Sequence, residues 1–133
     1  MKTPLFEAAK AAREHAHAPY SNFKVGAAIL AEDGKVYAGC NVENAAYPNG
    51  VCAETSAISA MALGGAGHIR EIAVIGTGEK LVTPCGGCRQ RIAEFAKPDT
   101  LVHICGPDGV RKTFTIGDLL PEGFDVNNLK ARG

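Results

Sequence analysis

No surplus of positive charge marks this chain of 133 residues: fourteen basic and fourteen acidic side chains cancel to a formal net charge of zero. No local run of Lys or Arg stands in for the missing surplus. A protein that grips a polyanion usually needs that surplus to neutralise phosphates, so a small neutral ligand suits this sequence better than a nucleic acid polymer. Long apolar runs are missing too. The longest uncharged stretch, Thr55 to Ile69, is interrupted by Gly64, Gly65 and Gly67 and falls short of the about 20 apolar residues that span a bilayer. Glu7, Lys10, Arg13 and Glu14 break up any targeting segment at the start, so the expected location is the cytoplasm and no membrane is expected as a partner. There is no even set of cysteines. Cys40, Cys52, Cys85, Cys88 and Cys105 make five, which argues against a disulfide framework and leaves metal ligation or buried thiols to compare. Neither an internal repeat nor a linker divides the chain, so residues 1–133 are expected to form one domain.

Hydrophobic residues make up 46% of the sequence and charged residues 21%, an ordinary globular balance that excludes a disordered or fibrous chain. Thr3-Pro4 predicts a helix start, with an apolar stripe at Leu5, Ala8, Ala9, Ala12 and Ala16 that should stop before Pro19. Lys24 to Ala31 and Lys35 to Val42 read as strands around an Asp33-Gly34 hairpin turn. After a loop over Asn44 to Gly50, Val51 to Leu63 reads as a helix apolar on every side, with Glu54 as its sole charge. Such a helix is buried centrally or in a subunit interface. A strand over Glu71 to Thr77 follows, then a helix from Gly86 to Lys97 ended by Pro98, with a stripe of Cys88, Ile92 and Phe95. Strands over Leu101 to Cys105 and Arg111 to Thr115 and a helical turn over Ile116 to Leu120 complete the pattern. The order α-β-β-α-β-α-β-β predicts an α/β fold with one mixed sheet covered by helices.

Chemistry concentrates at two places. Cys85 and Cys88 flank a helix start after Pro84, at a spacing that lets two thiolates meet one ion. Cys52 also begins a helix, and the positive end of a helix favours thiolate over thiol. A CxxC pair alone admits a structural zinc site, a thioredoxin-like dithiol, or cysteines that merely pack. A structural site wants a fourth protein ligand, and no second CxxC or His pair is present. Glu54 weighs against the bland readings, because a lone carboxylate on a buried helix is costly unless it is paired or used. In the first helical turn, Cys52 can bind a metal while Glu54 reaches a water beside it. Three protein ligands, an open position and a proton carrier make a catalytic zinc site. His15, His17, His68 and His103 read as surface or packing residues.

Cys52-Ala53-Glu54 followed by Pro84-Cys85-Gly86-Gly87-Cys88 resembles the signature of zinc-dependent nucleoside deaminases. Around it, the runs from Tyr20 to Ala28 and from Gly39 to Pro48 are similar to the small homotetrameric cytidine deaminases, as are Cys88-Arg89-Gln90 and Leu119 to Phe124. The resemblance spans nearly the whole chain. It implies a three-layer α/β/α sandwich with about five strands, one zinc ion per subunit on Cys52, Cys85 and Cys88, and hydrolysis of cytidine, with 2′-deoxycytidine alongside, to the uridine and ammonia in pyrimidine salvage. In that scheme water activated by zinc attacks C4 of cytosine, and Glu54 protonates N3 and later the departing amine. Asn41 and Glu43 match a ribose-binding pair, Ala53 joins the substrate contacts, and Phe23 packs on the nucleoside. Tyr47 and Phe124 match residues contributed across subunit contacts of a homotetramer with shared pockets.

One position departs from that pattern. Many relatives carry Arg directly after the catalytic Glu, and here the residue is Thr55. Three thiolates on Zn²⁺ leave one negative charge in excess, and Arg89 with the two helix N-termini are the expected compensators. Three other functions compete: a blasticidin-type aminonucleoside deaminase, a polynucleotide-editing deaminase, and a non-enzymatic zinc or redox module. Asn41 to Asn44 and Tyr47-Pro48 favour the nucleoside enzyme over the first, and charge neutrality disfavours the second.

Overall fold

The computed structural model describes residues 3–130. Thr3 caps the first helix, α1 (Pro4–Arg13), its Oγ1 accepting from the Phe6 N–H at 3.0 Å. The helix ends earlier than Pro19 requires. The chain beyond Arg13 is drawn off to pair with a strand end: His17 N–H donates to Asn41 O and Glu43 N–H to His17 O.

Five strands follow the predicted order: β1 (Gly26–Ala31), β2 (Val36–Cys40), β3 (Ile69–Ile75), β4 (Leu101–Gly106) and β5 (Gly109–Thr115). They form one sheet in the order β2-β1-β3-β4-β5. β1 runs antiparallel to both β2 and β3, β3 and β4 are parallel, and β4 and β5 are antiparallel. The sheet is therefore mixed, as expected. The β1–β2 turn uses Gly34 at φ +79°, a left-handed conformation cheap for glycine, and Asp33 Oδ1 accepts from Lys35 N–H. The parallel step from β3 to β4 needs a crossover, which α3 (Gly86–Glu94) supplies.

Alternation along the strands sorts the two faces. Ala28, Ala73, Ile75 and Cys105 pack against Leu5, Phe6 and Ala9 of α1 on one side. Ala27, Ile29, Val74, Val102 and Ile104 face the other, with Ala53, Ala57 and Met61 of α2 (Ala53–Leu63) and Ile92 of α3. The result is helix, sheet, helices: the three-layer α/β/α arrangement. On β2, a Cβ placed at Gly39 would stand 2.4 Å from Ala57 N, so only glycine lets α2 lie this close to the edge strand. Ser56 Oγ adds a bond to Cys40 O at 2.9 Å across the same seam.

One expectation narrows and one element is new. Of the two settings expected for α2, central burial holds for one side of a single chain, where Ala53, Glu54, Ala57, Ile58 and Met61 are covered; Ser59, Ala62 and Leu63 are exposed, the face that the subunit-interface setting would cover. After the α4 turn (Ile116–Leu119), capped reciprocally by Thr115 and Asp118, a further short helix α5 (Val126–Lys130) appears that periodicity did not suggest.

Candidate metal centre and adjoining cavity

Two helix starts build the centre. Cys52 is the N-cap residue of α2 and Cys85 that of α3, each with extended backbone, and neither side chain bonds back to its helix. The positive ends of both helices are thus turned toward sulfur. Cys88, one turn into α3, is fully buried. The sulfurs of Cys52, Cys85 and Cys88 all lie within 4.8 Å of one another. Three sulfurs at about 2.3 Å around a tetrahedral zinc stand roughly 3.8 Å apart, so the donor set and spacing fit that ion. Cys40 and Cys105 belong to β2 and β4, outside this cluster.

The thiols differ in acidity. The nearby Cys88 backbone N–H, which polarises the Cys85 sulfur without closing a capping hydrogen bond, holds that thiol below its usual range. Burial pushes Cys52 up, and burial with the nearby Glu54 carboxylate pushes Cys88 up to about 12. Such a graded trio is what a cation must deprotonate on binding.

Glu54 follows in the first turn of α2, 5% exposed and in no ion pair among the described residues. Burial raises its pKa, while its own backbone N–H and Arg91 pull the other way. A carboxyl with a raised pKa is suited to taking and returning a proton near neutrality.

A cavity of about 630 Å³ opens beside the cysteines, within the range of small-molecule sites. Cys52, Ala53, Glu54 and Cys85 line one part and Asn41, Glu43 and Tyr47 line others. An isolated bridge holds these parts together: Val42 N–H donates to Val51 O and Val51 N–H to Val42 O. It sets the strand end that bears Asn41 and Glu43 beside the segment that leads into Cys52.

Asn41 and Glu43 also order the wall. Asn41 Oδ1 accepts from Val25 N–H at 2.8 Å and its Nδ2 donates to Phe23 O at 2.9 Å. Glu43 accepts from the N–H groups of Tyr20 and Ser21 and from the Ser21 hydroxyl, and the hydroxyl bond holds its pKa below the ordinary carboxylate value. One lone pair and one N–H remain free on the Asn41 amide, and the Glu43 carboxylate keeps acceptor capacity. Phe23 and Phe124 do not line this cavity; Phe124 borders a separate depression with Leu120, Pro121 and Val126. Tyr20, Ser21, Val82 and Thr83 line the cavity without having been singled out; Tyr20 and Ser21 stood within the family-like run, whereas nothing in the sequence marked Val82 or Thr83.

Arg89 and Arg91 divide unexpectedly. Arg89 donates from Nε to Pro84 O, from Nη1 to Leu119 O and from Nη2 to Thr83 Oγ1, so these bonds all go to oxygen. They brace the turn that carries Cys85. Arg91 Nη1 instead reaches Cys88 Sγ at 3.8 Å, and Thr55 Oγ1 stands 3.9 Å from the same sulfur.

The family model described as the cytidine and deoxycytidylate deaminase zinc-binding region matches residues 2–104. A cytidine deaminase from Sporosarcina psychrophila is 43% identical over 125 residues, 94% of this chain and 92% of that protein. The crystal structure of a cytidine deaminase from Burkholderia pseudomallei superposes with a TM-score of 0.85 at 49% identity, covering 90% of this chain and 96% of the other. That of Mycobacterium tuberculosis gives a TM-score of 0.79 at 38% identity, covering 92% and 95%. By the matched zinc-binding region, the near full-length relatives and the shared fold, this chain belongs to the cytidine deaminase family of zinc-dependent hydrolases.

Proposed function

We propose that the protein deaminates cytidine hydrolytically, with 2′-deoxycytidine as a second substrate, in the cytoplasmic salvage of pyrimidines. The observation that carries the reading is the meeting of three sulfurs and a buried carboxylate at one cavity. Family membership and relatives that are cytidine deaminases support it.

Cys52, Cys85 and Cys88 would hold one zinc ion, leaving a fourth position open. Zinc bound there supplies the Lewis acidity that makes water a nucleophile at neutral pH. Glu54 takes the proton that water gives up as its oxygen bonds to C4 and delivers it to N3 of the cytosine ring; it then takes the proton of the new C4 hydroxyl and passes it to the amino group, which leaves as ammonia as the C4–N bond breaks. Burial suits Glu54 to this work, since a carboxyl of raised pKa carries its proton over more of the range near neutrality than an ordinary glutamate and is a stronger base once ionised. Ala53, fully buried between ligand and carboxylate, supplies backbone and a small wall against the base.

Asn41 and Glu43 orient the sugar through the hydrogen-bonding capacity left to them. The Glu43 carboxylate also repels a phosphorylated sugar, so the nucleoside is preferred over its monophosphate.

The whole of residues 1–133 acts as one domain in this reading, and four copies assemble with pockets shared between them. The exposed Ser59, Ala62 and Leu63 on α2 support close helix contact between copies. Gln90 supports a trans role for Phe124: its Nε2 donates to Phe124 O and its Oε1 accepts from Phe124 N–H. The ring is left 56% exposed, free to stack in a neighbour's pocket, while Tyr47, 76% exposed, is available to a subunit contact. Phe23, which stands just outside the cavity lining between Ser21 and Val25, would reach the nucleoside from the segment that Asn41 holds.

The test is turnover of cytidine by purified protein, followed as ammonia release, before and after metal chelation. Activity lost on chelation and restored by zinc is expected; turnover that ignores the chelator overturns the reading. Sedimentation at micromolar concentration addresses assembly, and a monomer would remove the shared pocket.

A further inference from the structure

Three thiolates around a divalent cation carry one negative charge in excess, and Thr55, which stands against the Cys88 sulfur, brings none to offset it. We propose that Arg91 supplies the compensating charge, acting on the metal centre through the Cys88 sulfur as a positioning residue that never touches substrate. This rests on the reading of Cys52, Cys85 and Cys88 as the zinc ligands.

Three observations carry it. Arg91 lies one helical turn beyond Cys88 on α3, a spacing that puts both side chains on one face, and its Nη1 is 3.8 Å from Sγ. Gly87 clears the path: a Cβ there would stand 3.3 Å from Arg91 Nη1, so a side chain would crowd the guanidinium where it crosses the first turn of α3. The neighbouring Arg89, the obvious candidate by sequence, donates from all three guanidinium nitrogens to oxygens of Thr83, Pro84 and Leu119. Its charge is spent on the turn that carries Cys85.

Hydrogen bonds and positive charge at a thiolate lower the electron density that the metal must accept, and outer partners of this kind tune affinity as much as orientation. Arg91 is exposed in the single chain, so the effect belongs at the lower end of that range and is sensitive to salt. Cys88 is the buried sulfur of the three, the one for which water can do least.

The experiment measures zinc dissociation constants by chelator competition for the wild type and for R91Q, R91K, R89Q and C88S, at low and high ionic strength. Circular dichroism of the metal-free proteins checks that each is folded. R91Q should bind zinc about tenfold more weakly at low salt, with the gap narrowing at high salt, while R91K stays close to the wild type. R91Q binding as tightly as the wild type at low salt overturns the proposal. So does R91K binding as weakly as R91Q, since charge would then not be the cause. R89Q losing affinity with R91Q unaffected returns the role to Arg89. Zinc held undiminished by C88S overturns the ligand assignment itself, a failure distinct from these because it appears with Arg91 intact.

Discussion

Cys52 and Cys85 occupy equivalent positions, each the N-cap of its helix, and neither side chain caps the helix it precedes. Serine or aspartate at such a place would turn its oxygen back onto the free N–H groups. Here the sulfurs face each other instead, and the two helix ends share one point of positive polarisation.

Serine in place of Cys52, Cys85 or Cys88 should abolish stoichiometric zinc, whereas C40S and C105S should keep it. Metal content by mass spectrometry after desalting checks this, with circular dichroism as the control for folding. A zinc-replete C85S protein would refute the ligand set.

Zinc uptake should expel protons. Metal-free Cys88, pushed up to about 12, and Cys52, raised by burial, both carry protons at neutral pH. Cys85 is the thiol already shifted toward thiolate. Affinity should therefore rise with pH and be lost as pH falls, with about two to three protons released per zinc near neutrality, Cys85 giving up the smallest share. Calorimetry in buffers of different ionisation enthalpy counts them.

E54Q should keep zinc and lose turnover by roughly 10²- to 10⁴-fold. It should also reveal a stability linkage in the metal-free protein. The folded-state pKa of Glu54 is raised by burial, so its contribution is full below the unfolded carboxylate value and is lost as pH rises through the raised one. The thermal midpoint of wild type should fall relative to that of E54Q over that interval. Parallel curves would mean that burial leaves Glu54 unperturbed.

Replacing Glu43 by Gln should raise KM for cytidine more than it lowers kcat, as expected for a binding contact. It should also narrow the preference for cytidine over its 5′-monophosphate. Because Glu43 accepts three bonds from Tyr20 and Ser21, S21A should raise KM in the same direction without relaxing that preference. Steady-state kinetics with both substrates separates the two.

Much of this was written in local sequence. Asp33-Gly34, Thr3-Pro4 and the proline before Cys85 mark a turn and two helix starts by their own chemistry, and each stands where expected. Long-range pairing was not legible. The first helix ends early because residues beyond Arg13 pair with Asn41 and Glu43, a contact that no window of neighbouring residues encodes. Helix α5 has no buried residues, so no apolar period announces it. The cysteines and Glu54 could be grouped from spacing and burial cost, but Arg91 could not. Its sequence neighbour Arg89 carries the same charge, and only the direction of each guanidinium tells them apart.

Gly39 touches neither metal ligand nor cavity, yet it governs the distance between them. With no side chain between strand and helix, β2 and α2 meet backbone to backbone, and the residue pair beyond Cys40 keeps a set offset from the N-terminus of α2. That offset sets the span of the cavity between Asn41 and Glu43 at one end and the cysteines at the other. On the proposed function the size of substrate is gauged by a seam in the scaffold, and a methyl group added at Gly39 should recalibrate the ruler without altering any residue that reads it.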